Sequence, residues 1–587
     1  MKIGALSLGR NQVFVVAGLV TLAPALVLGL ALQGGVHGLY CDDYSFRAAA
    51  FSFQTGGWQP RLGVPSGFDI GRYLAYMLNA NLLNALPTYE VPYNLVVAAI
   101  QATNAVLLGA LAYRIVRAPL VFVATIWLFL MPALANEAVV SRTAVTHYVL
   151  GLLLFLLGFH TVLSAVRKSS YPLLAAAALV LVMVLLFTEQ TVFLVLLVPF
   201  LSAIVVRGDR DARLKGVIRG TVLCAVMLLG YALYWHFVLK NSSSSNLAAR
   251  GGFESNPVSL LQRLPTVWSG LIWLLTDWGI RGPLAEALEL GMREWSRTWV
   301  GFALLAAFLS VVLTAVHSCR PVGNGYYARP AVVWSTVVAG LAWAGLSLVP
   351  VLLLKNQIVE IRLLYLAWAG LSIAIAAFIQ GLADVSGRWH VWTGRVGVLA
   401  VGCILLVSSL TMAGIVRVYQ LRWDLDQQQL AALQSAIPTL PEDSQVWVLP
   451  VALDERSVSP VLGRDVLLDQ YVGGVFQAPW SAAGALRMAY RRPDIYAVAT
   501  NPWNPLRVTG VDRSLNGQVA QITVQDVRVP VAQLLAFTYQ QGRVILLSPI
   551  VIGTDHGDDI VVDLPLVALL RGPGSSVEPV QFELEEP

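Results

Sequence analysis

Charge is scarce in this chain. Only 12% of the residues are Asp, Glu, Lys or Arg, where a soluble domain carries about 25%. Hydrophobic residues make up 57%, and the mean hydropathy is +0.68. This shortage of charge excludes a large soluble enzyme and leaves an integral membrane protein. Cysteine is scarce too: Cys41, Cys224, Cys319 and Cys403. Two of them fall inside apolar runs and no pair has metal-ligand spacing, so no disulfide framework is expected. The chain has no glycine-rich loop placed after a strand and no basic–aromatic motif, so no nucleic-acid partner is expected. The formal net charge of +5 is better explained by basic residues kept in cytoplasmic loops. There are no inverted-repeat halves of transporter type.

Long hydrophobic runs are what the sequence has in plenty. A membrane span needs roughly 20 mostly apolar residues. Such runs place helices near 12–33, 94–113, 118–135, 147–166, 171–187, 191–206, 216–238, 299–317, 331–354, 363–383 and 396–416, about eleven in all. The first is too long for the apolar core of a signal peptide, about 7–15 residues, and reads as a retained span. Lys2 and Arg10 precede it, which puts the N-terminus in the cytoplasm. Alternation then makes inner loops of those bearing Arg114 and Arg117; Arg167 and Lys168; RGDRDARLKGVIR (207–219); Arg320 and Arg329; and Arg388 and Arg395. Each is net basic, as the positive-inside rule requires. The short outer loops are acidic or mixed, with Asp42, Asp43, Asp69 and Glu90 in the first.

Residues 264–280, LPTVWSGLIWLLTDWGI, are apolar and Trp-rich but short, and read as interfacial rather than spanning. Spanning would reverse the sidedness of everything after it. The segment PLAEALELGMREWSRTW is amphipathic, so 239–298 reads as an outer loop whose helices lie along the membrane. The indoles Trp268, Trp273, Trp278, Trp295 and Trp299 fit an aromatic belt. After 416 the polarity becomes mixed. LDQQQLAALQSAI (425–437) reads as a helix ending before Pro438. QVWVLPV (445–451), QVAQITVQDV (518–527), RVILLS (543–548) and DIVVDL (559–564) read as strands. The expected fold class is therefore an α-helical polytopic membrane protein with a C-terminal extracytoplasmic α/β domain. The membrane part covers 1–416, with outer loops 34–93 and 239–298, and the soluble part covers 417–587.

Chemistry needs polar groups, and the ionisable ones gather at the outer ends of the expected spans. Asp42 and Asp43 stand side by side just after the first span, in CDDYSFR. A carboxylate there can act as general base on an acceptor hydroxyl; equally, Asp42 can cap a helix over YSFRAAAF. An anionic leaving group calls for cationic stabilisation. Arg72, Arg142, Lys355 and Arg362 are the outer cations that could supply it. Glu137 and His147 lie in NEAVVSRTAVTHY (136–148), Glu189 in TEQT (188–191), and Tyr365 in EIRLLYL (360–366). A buried Glu189 requires a partner, and Arg362 and Tyr365 either meet a phosphate or snorkel. TDHGDD (554–559) fits no EF-hand spacing and reads as a solvated turn.

The topology and the first loop resemble the GT-C superfamily of membrane glycosyltransferases, in particular its bacterial glucosyltransferase-like and ArnT-like members. Asp42–Asp43 match that family's first-loop acidic motif in its expected place, and Trp58 followed by Gly71–Arg72, TEQT and EIRLLYL resemble further family elements. The resemblance implies a polyprenyl-phosphate-linked sugar donor, a glycan, lipid or protein acceptor, and contact with membrane lipid. It implies a catalytic base at Asp42 or Asp43, with Asp43 the favoured of the two. It implies donor or phosphate contacts among Arg72, Glu137, Arg142, His147, Glu189, Lys355, Arg362 and Tyr365. Some members bind a divalent metal, Mg2+ or Mn2+, which here would fall to Asp42 and Asp43. The implied setting is the bacterial inner membrane, crossed many times, with the active site and the C-terminal domain outside.

A non-enzymatic transporter, flippase or envelope-assembly protein is the competing class. It would show charged residues or broken helices in mid-membrane, and the expected spans have almost none. A ligase-like or polymerase-like glycan enzyme would place its key residues in one large late outer loop. The topology predicts that a cysteine introduced in 417–587 reacts with a membrane-impermeant thiol reagent added from outside the inner membrane. Protection there, with labelling only after the membrane is opened, would place the domain inside.

Overall fold

In a computed structural model the chain is described over residues 40, 42–52, 57–58, 73–85, 90–130, 132–206, 210–234, 236–237, 257–276, 282–293, 330–353, 361–385, 390–442, 445–451, 453, 456–459, 462–468, 471–498, 507–524, 527–553, 559–570 and 577–584. It divides into two compact units. One contains Met1–Val36, Ser66–Leu78 and Tyr89–Arg417; the other contains His37–Pro65, Asn79–Thr88 and Val418–Pro587. The loop 34–93, expected as one piece of the membrane part, is thus shared between the two.

The first described helix, α1 (Asp42–Ala50), belongs to the second unit, as do the paired two-residue strands β1 (Phe51–Ser52) and β2 (Gly57–Trp58). Helix α2 (Tyr73–Ala85) begins in the first unit. That unit continues through α3 (Glu90–Val116), α4 (Pro119–Leu130), α5 (Arg142–Lys168), α6 (Tyr171–Leu185), α7 (Glu189–Val205), α8 (Arg210–Tyr234), α9 (Pro257–Leu275), α10 (Pro283–Arg293), α11 (Pro330–Leu352) and α12 (Leu364–Val385). Among the described residues, six segments are long and apolar enough to cross a membrane: Tyr93–Val116, Arg142–Lys168, Arg210–Tyr234, Pro330–Leu352, Ile361–Leu382 and Leu399–Ala436. Pro119–Leu130, Tyr171–Leu185 and Glu189–Val205 are apolar but shorter. All of these coincide with expected spans; the expected spans 12–33 and 299–317 lie outside the described residues.

One expectation is corrected. The span at 396–416 and the helix at 425–437 are a single helix, α13 (His390–Ala436). The turn to polar residues after Ile415 suggested an end, but no Gly or Pro stands between Ile415 and Ile437. Gln, Leu, Arg and Ala keep helical propensity high without apolar character. The helix stops just before Pro438, which cannot continue it.

Apolar residues cover the first unit on both sides, which is the pattern of a lipid-bathed bundle. Helix α8 exposes Leu214, Ile218, Val222, Val226, Leu229 and Leu233 along one stripe. Helix α9 exposes Leu264, Trp268 and Ile272 at four-residue spacing, with Trp273 beside them, the face that an interfacial helix offers to lipid. Hydrophobicity cannot drive helices together in lipid, so they associate through close packing of small residues. Helices α11 and α12 meet in this way. A Cβ on Gly340 would stand 2.6 Å from the Gly370 carbonyl oxygen, and one on Gly370 would stand 2.5 Å from that of Gly340. Helix α10 meets α13 similarly, through Gly291 and Gly414.

The second unit is built on a sheet ordered β12–β11–β10–β3–β6, with β13 also pairing β11. Its strands are β3 (Val446–Pro450), β6 (Ile495–Ala497), β10 (Leu534–Gln540), β11 (Arg543–Gly553), β12 (Ile560–Val562) and β13 (Val577–Glu583). Strands β3, β6 and β10 run parallel, whereas β11 is antiparallel to β10. Helix α14 (Pro479–Tyr490) packs on β6 and on α1. The contact with α1 is close: a Cβ on Gly484 would fall 2.7 Å from the Tyr44 carbonyl. A short helix, α15 (Pro565–Leu570), lies on β10. A two-stranded pair, β4 (Arg456–Ser459) and β5 (Arg464–Leu467), and an antiparallel sheet of β7 (Val508–Arg513), β8 (Val519–Val524) and β9 (Val527–Pro530) complete it. The expected strands fall on β3, β8, β11 and β12.

Overpacking a core contact costs about 1–3 kcal/mol. Gly340→Ala is therefore expected to lower the thermal stability of the purified protein in detergent. Gly345→Ala, on the same helix with open space around it, is expected to leave stability unchanged or raise it. Equal effects would mean that α11 and α12 do not pack through Gly340.

Candidate functional site

In the first unit, the connection between α4 and α5 gathers several of the expected residues. A short helix, Glu137–Val140, is followed by Ser141 in extended conformation, and Arg142 opens α5. Glu137 Oε1 accepts a hydrogen bond from Arg362 Nη1 at 2.9 Å, an ion pair between half-buried side chains. Two ionisable residues 225 positions apart are thus brought together.

Arg142 has no such partner. Its residue is 1% exposed. Its guanidinium lies over the Tyr93 ring, 4.8 Å from the centroid, and the Tyr93 hydroxyl donates to the Arg142 carbonyl at 3.3 Å. Its Nε and Nη2 have no hydrogen-bond partner among the described residues, and no described carboxylate pairs with it. A cation–π contact is worth about 2 kcal/mol when desolvated, less than the several kcal/mol that desolvation of a guanidinium costs. The arrangement is that of a cation built to receive an anion.

One turn further on, α5 widens into a π-helical stretch, Val145–Leu150, which contains His147. Such bulges are frequent at functional sites. His147 is buried; its Nδ1 lies 2.8 Å from the Thr143 carbonyl and its ring meets Tyr76 edge-on at 5.1 Å. The carbonyl accepts the Nδ1 proton, which leaves Nε2 as the basic nitrogen. Glu189 opens the 3-10 turn of α7 and is half-buried. Its neighbours Thr188 and Gln190 are fully buried. The Thr188 hydroxyl and both ends of the Gln190 amide lack hydrogen-bond partners among the described residues.

Tyr365 is completely buried, and its hydroxyl donates to Gln101 Oε1 and accepts from Asn104 Nδ2 at 3.4 Å. Gln101 in turn donates to the Phe129 carbonyl at 3.2 Å, and Asn104 to the Val149 carbonyl at 2.7 Å. These bonds tie α12 to α3 inside the bundle. Arg72 and Lys355 lie outside the described residues, as do residues 554–558 of TDHGDD.

The acidic pair belongs to the second unit. Asp42 is the first residue of α1, and its side chain is outside what is described. Asp43 is fully buried, and its Oδ2 accepts the Tyr40 N–H at 3.2 Å. A carboxylate reaching back three residues to a free N–H at a helix start is the reciprocal half of a capping box. Around it lie Tyr40, edge-on to Tyr419 at 4.9 Å, and Tyr44, stacked on Trp423 at 6.5 Å. Burial, and then the charge of Asp426, push the Tyr44 hydroxyl well above its usual range, so it stays protonated at neutral pH. The sequence reading missed the partners here. Arg422 and Asp426 are completely buried one turn apart on α13, with Nη2 to Oδ1 at 2.7 Å. Oδ1 also accepts the Val475 N–H at 3.2 Å. Gly474 lies against the guanidinium, where a Cβ would fall 1.5 Å from Nη2. The signal was present in RWDLD, whose Arg and last Asp stand at i and i+4 in a helix.

No group of three or more His, Cys, Asp or Glu side chains able to hold a metal occurs among the described residues.

Removing one partner of a buried ion pair costs about 3–5 kcal/mol, whereas replacing both with apolar groups is often neutral. Asp426→Ala is expected to destabilise the protein by that amount. The double variant Arg422→Met, Asp426→Leu is expected to recover most of the loss, as read by thermal unfolding and by proteolysis within 418–587. An additive double variant would show that the pair does not act as a unit.

No family model matches the sequence, and no curated protein matches it. Among solved structures, the crystal structure of ArnT from Cupriavidus metallidurans bound to undecaprenyl phosphate matches at 16% sequence identity and a TM-score of 0.29, over 83% of this chain and 90% of that one.

Proposed function

We propose that this protein is a membrane glycosyltransferase of GT-C type, which moves a sugar from a polyprenyl-phosphate donor to a hydroxyl of a glycan, lipid or protein at the outer face of the inner membrane. The observation that carries the reading is the buried, unpaired guanidinium of Arg142 in an apolar helical unit. Phosphate is the anion that a planar guanidinium fork holds best, and a lipid-linked phosphate is one that reaches such a place. His147, Thr188 and Gln190 add buried polar side chains in the same unit.

The chemistry is one displacement. The acceptor oxygen forms a bond to the anomeric carbon as the bond from that carbon to the phosphate oxygen breaks. The acceptor proton passes to a carboxylate, and the lipid phosphate leaves with the electron pair, its charge stabilised by arginine. A single displacement inverts the anomeric centre. Of the acidic pair we assign the base to Asp42. Asp43 is engaged as a helix-start acceptor, and adjacent residues on a helix point about 100° apart, so one carboxylate can hold the fold while the other does chemistry.

Variants are compared by surface-glycan modification in cells that contain equal amounts of the protein in the membrane. Asp42→Asn is expected to reduce transfer by roughly 100- to 10,000-fold. Arg142→Gln is expected to reduce it by about 100-fold or more. Asp43→Asn keeps an oxygen acceptor for the Tyr40 N–H and is expected to remain folded and active. Full modification by both Asp42→Asn and the Asp42→Asn, Asp43→Asn double variant would overturn the assignment of the base. Unchanged transfer by Arg142→Gln would remove the observation on which the reading stands.

A further inference from the structure

Arg142 is one of many arginines in the first unit, and a second group of them gathers at the other end of α5. Helix α3 ends with Arg114 in its last turn, and Arg117 follows with φ of 63°. Helix α5 ends with Arg167 and Lys168, and Ser169, at φ of 55°, turns the chain into α6. Arg114 joins the two ends: Nη1 donates to the His160 carbonyl and Nη2 to the Ser164 hydroxyl, each at 3.2 Å. The charges of Arg167 and Arg117 both bear on Arg114. From α8, Arg219 donates to the Ser169 hydroxyl at 2.6 Å and lies 5.9 Å from the centroid of the exposed Tyr171 ring. No carboxylate among the described residues pairs with Arg114, Arg167, Lys168 or Arg219.

The positive-inside rule needs only a number of basic residues in a loop, free and solvated. Here two guanidinium groups are fixed by hydrogen bonds to neighbouring turns, and Arg167 and Arg117 lie close enough to Arg114 to repel it. Like charges at short range destabilise the fold unless an anion joins them. Beside Arg219, the same helix exposes Ile218, Val222 and Val226, an apolar track suited to acyl chains. We infer that Arg114, Arg117, Arg167 and Arg219 form a binding site for the phosphate groups of anionic phospholipids. Basic pockets between membrane helices bind such head groups, and the adjoining apolar stripe selects a lipid over a free anion. The site is independent of the sugar-transfer reading.

The test uses the full-length protein in neutral detergent, with thermal unfolding followed on addition of cardiolipin, phosphatidylcholine or inorganic phosphate. Cardiolipin is expected to raise the melting temperature, and the other two are not. At the usual contribution per basic residue, Arg114→Gln with Arg167→Gln lowers the cardiolipin affinity by roughly 30-fold. An undiminished shift in that variant would overturn the site. Phosphatidylcholine acting as well would mean a non-specific lipid effect, and inorganic phosphate acting as well would mean a free-anion site; either overturns the proposal. Should the double variant not fold, Arg219→Gln and the salt dependence of the wild-type shift decide. The shift must weaken in both, and a shift unaffected by either would equally refute it.

Discussion

A guanidinium removed from water needs an anion, and the two units meet that constraint in opposite ways. Arg422 has Asp426 one turn away, a backbone N–H sharing the same carboxylate oxygen, and a glycine that leaves room for the fork. The charge is cancelled within the fold. Arg142 is buried as deeply, with its guanidinium over the Tyr93 ring and no carboxylate paired with it among the described residues. Burying a charge without a partner is among the most expensive things a protein can do. An anion bound beside Arg142 would offset that cost, which is the physical ground of the proposed phosphate contact.

The apolar surroundings set the terms for every other polar group in the first unit. Gln101, Asn104 and Tyr365 satisfy one another and two backbone carbonyls, so their network fixes how helices sit. Glu137 and Arg362 neutralise each other at a half-buried position. The close glycine contact between α11 and α12 supplies adhesion that the hydrophobic effect cannot supply in lipid. The buried side-chain atoms of this unit without a described hydrogen-bond partner include those of Arg142, Thr188 and Gln190, alongside Asn104 Oδ1 and the hydroxyls of Thr125 and Ser202.

Much of this architecture is legible in the sequence, because a membrane imposes a length and a polarity that runs of residues display directly. The spans follow from that, as do the strands with turn residues at their ends. Continuity of α13 was not legible, since the change from apolar to polar at Arg417 looks like an end when only hydropathy is followed. Strand β10 was missed because LLAFTYQ is buried along almost its whole length and so has no alternation to reveal it. Pairings across long separations were beyond reach. Tyr93 and Arg142 are 49 residues apart and Glu137 and Arg362 are 225 apart, and nothing local links them.

The acidic pair shows why a motif and a structural role need not compete. Two adjacent carboxylates after a hydrophobic run could have been a helix cap or a base, and those readings seemed exclusive. Asp43 is fully buried and its Oδ2 accepts the Tyr40 N–H, which fixes where α1 begins. A base has to be held at a defined place, and a helix whose first turn is pinned by its own second residue holds the first residue so. Under the proposed assignment of the base to Asp42, the bond that Asp43 accepts from the Tyr40 N–H serves to hold the helix start, a positioning role that an oxygen acceptor alone can fill.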